Sequence, residues 1–127
     1  MKAFIFVLVS LFVSINIALA HHSFAGAYDL NKPVAIEGTV VDWRWISPHV
    51  QLLVETADKD GNVITWNIEL GARRALTVHL GWTQDMIQVG DKIKVVGYLS
   101  RREEHGAAAS RITLASGEEL RAVRQIQ

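Results

Sequence analysis

The chain has 127 residues, with 13 Lys and Arg against 13 Asp and Glu, 50% hydrophobic residues and no cysteine. So even a charge balance gives no electrostatic footprint for nucleic acid, whose binding rests on neutralising phosphates. The missing cysteines exclude disulfides, thiolate metal sites, haem attachment through C-x-x-C-H and cysteine nucleophiles, so the core must hold the fold unaided.

The N-terminus reads as an export signal. Met1 and Lys2 supply the basic start, "AFIFVLVSLFVSINI" follows without a charge, and Ala18 and Ala20 fill the small-residue positions of an A-x-A cleavage site. An uncleaved anchor is the alternative. The uncharged run is at the lower limit for spanning a bilayer, and Ser14 and Asn16 weaken its apolar end. Cleavage after Ala20 is therefore expected, with residues 1–20 lost as signal peptide and the mature protein periplasmic or secreted. Residues 21–127 suffice for a single domain with one core. No membrane segment remains after cleavage.

Residues 21–33 form a leader. "VAIEGTVVDWRW", Val34 to Trp45, is then rich in β-branched and aromatic residues. Ile36, Gly38 and Val40 alternate on one face, after which the phase shifts to Val41, Trp43 and Trp45. Such a shift within one strand predicts a bulge. "SPH", Ser47 to His49, interrupts the pattern as a loop. "VQLLVETA" and "NVITWNIEL" are two further strands, and Asp60-Gly61 between them is hairpin chemistry, since both residues tolerate positive φ.

After Gly71 the periodicity changes. Ala72, Ala75, Leu76 and Leu80 recur at spacings of three and four, which predicts a short helix stopped by Gly81. Thr83 caps a brief further turn. "VGDKIKVVGYL", Val89 to Leu99, returns to strand. "SRREEHGAAAS" reads as a polar, small-residue loop, and "RITLASGEELRAV" as two short strands around Ser116-Gly117. The order β-β-β-α-β-β is that of an all-β domain with one short helix, a five-stranded OB-like Greek-key barrel. A helix-free β-sandwich is the alternative, and it does not accommodate the Ala/Arg/Leu-rich segment.

Five histidines carry the chemistry. Cleavage after Ala20 makes His21 the first residue, placing a free α-amine, with a reference pKa of about 8, beside its own imidazole. Together they chelate one ion, and a further imidazole completes a three-nitrogen set that suits copper(II) ahead of zinc. His22 is an alternative ligand. A solvated His-His start with no metal is the bland alternative, although Phe24 and Tyr28 suggest a leader that packs on the domain. His49 is the best internal partner, because OB barrels bind ligands through the loop joining their first two strands. A loop histidine bonded to a backbone carbonyl is the competing expectation.

Trp43 and Trp45 stand just upstream and are candidate walls of the site. Glu69 is the carboxylate placed to orient a histidine, and a plain ion-paired strand residue is its alternative role. Trp66 and Trp82 join the other tryptophans as core or rim. His79, near a helix C-terminus, and His105, in the polar loop, are not expected to be ligands. Arg73 and Arg74 belong to a solvated helix face. No nucleophile, base and acid are assembled, so binding is expected and catalysis is not. A copper enzyme of the histidine-brace kind has little surface on a domain this small.

"HHSFAGAYD", "NKPVAIEGTV", "WISPHV", "WNIELG", "LGWTQDMIQVGDKIKVVGY" and "ASRITLASGEEL" together resemble a family of small exported bacterial proteins known as a domain of unknown function. The resemblance covers essentially the whole mature chain. It implies a role for His21, His22, His49, Trp66 and Glu69. Ser47 stands where the family usually has asparagine, so no role for that amide carries over.

The expectation is thus an exported, non-catalytic binding protein with a copper site from His21, His22 and His49, bordered by Trp43, Trp45, Trp66 and Glu69. A metal-free OB-fold module that docks a protein partner or small ligand is the alternative. In either case a periplasmic partner and a monomer or weak dimer are expected, with no nucleic acid.

Overall fold

The computed structural model describes residues 24–122. The signal peptide, its cleavage point, His21 and His22 lie outside these residues. Residues 24–27 are helical and lead directly into a 17-residue strand, β1 (Tyr28–Arg44). The strand therefore starts within the segment expected to be a separate leader. It is long because it serves two partners. Its first part, Pro33 to Thr39, pairs antiparallel with β4 (Lys92–Ser100), and its second, Thr39 to Arg44, pairs antiparallel with β2 (Gln51–Ala57). Between Val40 and Asp42 the register slips. This is the bulge that the phase shift foretold, and it keeps Trp43 on the same core-facing side as Ile36 and Val40.

β2 and β3 (Val63–Glu69) form an antiparallel hairpin with Gln51 opposite Glu69. Its turn is built around Asp58. One carboxylate oxygen of Asp58 accepts from the amides of Asp60 and Asn62, each at 2.8 Å, and Gly61 supplies the positive φ of 83°. Asp60 does not share that conformation, because the Asp58 side chain closes the turn instead.

The helix α1 (Arg73–Leu80) buries Leu76 and ends at Gly81, which is left-handed at φ 71° as the sequence predicts. A 3-10 turn (Gln84–Met86) follows. Trp82 between them is 1% exposed, and its indole nitrogen donates to the Arg121 carbonyl at 2.7 Å, so its polar atom is satisfied where water cannot reach.

β5 (Gly106–Leu114) corrects the sequence expectation. "GAAAS" is not loop but the first half of a nine-residue strand, with residues 106–109 buried. Small residues carry weak strand propensity, yet here they are what the packing requires. β5 pairs antiparallel with β4 and, through Gly106 to Ala108, parallel with Asn67 to Glu69 of β3. The approach is so close that a Cβ on Gly97 would collide with the Ala108 carbonyl. β6 (Glu119–Arg121) is a short addition to β5.

Among the described residues the fold is therefore mostly β, with six strands, the short helix α1 and the helical residues 24–27. Strand pairing runs from β1 through β2, β3, β5 and β4 back to β1. Leu52, Val54, Ile68, Val95 and Ile112 fill the space inside, with Leu76 and Trp82 packed against them. Each such aliphatic side chain stabilises the fold by roughly 1.5–3 kcal/mol through burial. No helix of the described residues is long and apolar enough to cross a membrane.

Candidate functional site

The start of β1 is bound tightly to the β4–β5 turn. The backbone amide of Arg101 donates to the Ala27 carbonyl at 2.8 Å, and its Nε donates to Ala25 at 3.0 Å. Its guanidinium also pairs with Asp29 at 3.2 Å. The Phe24 and Tyr28 ring centroids lie 5.1 Å from each other. The aromatic leader thus packs on the sheet as expected. Ala108 is buried but is not part of the core cluster that holds Ala107 and Ala109. Strand alternation explains this: Ala108 points to the opposite face.

Between leader, sheet and turn lies a cavity of ≈ 590 Å³, lined in part by Phe24, Tyr28, His49, Glu69, Arg102 and Glu103. His49 sits in the loop before β2, beside a cis Ser47–Pro48 peptide. Two backbone bonds fix it there, Val50 N–H to the Gly71 carbonyl and Leu70 N–H to the Val50 carbonyl. With Gln51 opposite Glu69, the register brings the imidazole over the carboxylate. His49 Nδ1 lies 3.0 Å from Glu69 Oε1. A neutral imidazole bonded this way carries its proton on Nδ1, and the Nε2 lone pair is left for another partner.

Glu69 has a second neighbour. Burial first, then the charge of Glu69 and a hydrogen bond to its carboxylate, then Glu103, push the Tyr28 hydroxyl above the usual tyrosine range, with Arg102 opposing. Tyr28 therefore stays a phenol and a donor. Glu69 thus has two neighbours, His49 at 3.0 Å and the Tyr28 hydroxyl whose ionisation it opposes. Across the cavity the Glu103 carboxylate accepts from the Asn67 amide at 3.3 Å.

The tryptophans named from the sequence are elsewhere. Trp43, Trp45 and Trp66 are not among the described residues lining this cavity. Trp43 packs against Trp45 and Trp82, with centroids 5.6 and 6.2 Å away, and donates its indole N–H to the Gln84 carbonyl. Trp66 meets His105 edge to face at 5.3 Å, so His105 is half-buried rather than solvated. His79 is exposed in the last turn of α1. Tyr28, Arg102 and Glu103 were missed as site residues. Only the aromatic pair Phe24 and Tyr28, four residues apart, signalled the wall they form.

Among the described residues no group of three or more His, Asp or Glu is placed to hold a metal ion. His49 with Glu69 behind it offers a single imidazole nitrogen beside a carboxylate that can orient it. No curated protein and no solved structure matches the chain. Residues 8–109 match the family of unknown function DUF6152, which covers most of the sequence, and the chain belongs to that family.

Proposed function

We propose that the protein is exported, processed after Ala20, and binds copper in the periplasm through its new N-terminus and His49, without catalysing a reaction. The observation that carries this is the His49–Glu69 contact of 3.0 Å at a cavity whose lining also includes Phe24. A metal-bound histidine commonly donates its other ring N–H to a carboxylate, which fixes the tautomer and raises ligand basicity. Glu69 supplies that partner and leaves Nε2 to act as the ligand.

His21 stands three residues before Phe24. With consecutive Cα atoms about 3.8 Å apart, its reach from the cavity wall is at most about 11 Å. Its α-amine and ring would supply two nitrogens, with His49 the third and His22 the alternative. Three nitrogens without thiolate favour copper(II) over zinc. The scaffold we infer is an OB-like barrel of five strands. The pairing order β1-β2-β3-β5-β4-β1, the parallel β3–β5 contact and a helix between the third and fourth strands support it. Delivery, storage or support of a periplasmic redox enzyme would all use such a site.

Calorimetric titration of copper(II) into the processed protein and into His49→Ala tests the assignment. Affinity should fall by tenfold or more in the variant, roughly 1.4 kcal/mol. Equal affinity would remove His49 from the site.

A further inference from the structure

The cavity carries more chemistry than one metal ligand needs. Its far side is the β4–β5 turn, where Arg102 and Glu103 both face the same space. Among the described residues neither forms an ion pair, with the other or with anything else. Glu69 is already engaged by His49 and Tyr28, whereas Glu103 has only the long contacts to Asn67. Ala108 and the Phe24 ring give the same space an apolar side.

This layout selects among ligand classes. A simple anion attracted to Arg102 would face two carboxylates. A simple cation drawn to Glu103 would face a guanidinium. A molecule with both charges, separated by a short apolar stretch, satisfies all of them at once. Size narrows the class further. At ≈ 590 Å³ the cavity falls within the range of roughly 300–1,000 Å³ typical of small-molecule sites. A single amino acid would leave much of it unfilled, whereas two extended residues span about 7 Å and carry their charges at opposite ends.

We propose that this cavity is a binding site for a small zwitterion of dipeptide size, its carboxylate on Arg102, its ammonium on Glu103 and its side chains against Phe24 and Ala108. Arg102 donates two parallel N–H bonds to the carboxylate, the geometry that guanidinium offers and lysine does not. The site does not depend on a metal being bound, so this inference stands apart from the copper assignment.

The test uses the processed protein stripped of metal with a chelator. Its amide spectrum is followed by NMR as L-alanyl-L-alanine is added, beside the same dipeptide with its amine acetylated or its carboxylate amidated. The free dipeptide should shift the amides of Tyr28, Gly71 and Ala108 and bind with a Kd below about 1 mM. Each capped form should bind at least about tenfold more weakly. Arg102→Gln should abolish the preference for the free carboxylate while leaving the preference for the free amine, and Glu103→Gln should do the reverse. Both side chains are exposed, so a preserved spectrum will show that the variants fold. Absence of shifts, equal binding of the capped forms, or shifts that appear only after copper is added would each overturn the proposal.

Discussion

His49 Nδ1 and Glu69 Oε1 lie 3.0 Å apart, one on the loop before β2 and the other on the last residue of β3. Both side chains are partly exposed, at 50% and 32%. A pair in that setting contributes at most about 1 kcal/mol to stability. Its value lies in orientation. Removing the carboxylate should therefore be felt in ligand binding more than in folding.

Glu69→Gln tests that separation. We expect copper affinity to drop by about 10–100-fold, the usual cost of losing a partner that orients a metal-bound histidine. The unfolding free energy should change by no more than about 1 kcal/mol. Isothermal calorimetry and urea denaturation on the same samples give both numbers.

Tyr28 makes the protein sensitive to alkali in a defined direction. Because burial and Glu69 raise the folded-state pKa of its hydroxyl, the folded chain keeps a proton that the unfolded chain loses above about pH 10. The stability it contributes is full below that value and declines as pH rises beyond it. Between pH 9 and 11, Tyr28→Phe should lose less stability than the parent protein, measured by urea denaturation at each pH. Parallel losses would show that Tyr28 ionises freely.

Much of the fold was legible because local chemistry and packing agree. Gly81 ends α1 where a left-handed residue is required, Gly61 serves the hairpin, and the phase slip at Val40 and Val41 is a real bulge. β5 was not legible. Gly106 to Ser110 lack strand propensity, and their smallness is explained only by β3 and β4 closing on either side. At the site, His49 and Glu69 came from the sequence because the loop and hairpin that hold them were correctly read. Arg102 and Glu103 looked like a solvated charge run until the leader folded over beside them. The tryptophans misled because their bulk suits a core edge as well as a pocket wall.

Gly97 is the tightest point of that closure. Gly97→Ala places a methyl group against the backbone of Ala108, which no rotamer change relieves. A loss of about 1–3 kcal/mol is expected, as for other overpacked cores. Thermal denaturation followed by circular dichroism will show it as a lowered Tm with an unchanged native spectrum.

Arg101 holds the leader through its side-chain bonds to Ala25 and Asp29. Arg101→Ala should cost roughly 1–2 kcal/mol overall. Its local effect should be larger. Amide exchange at residues 25–29 is expected to quicken while Leu52 and Val95, deep in the core, keep their protection.

In the function proposed above, export frees a chelating terminus which His49 completes. EPR of copper(II) added to the processed protein, beside the same protein with one alanine placed before His21, tests it most directly. A tight site with nitrogen hyperfine structure is expected in the first sample, and its loss in the second. The same spectrum in both, or only weakly held copper in both, would contradict it.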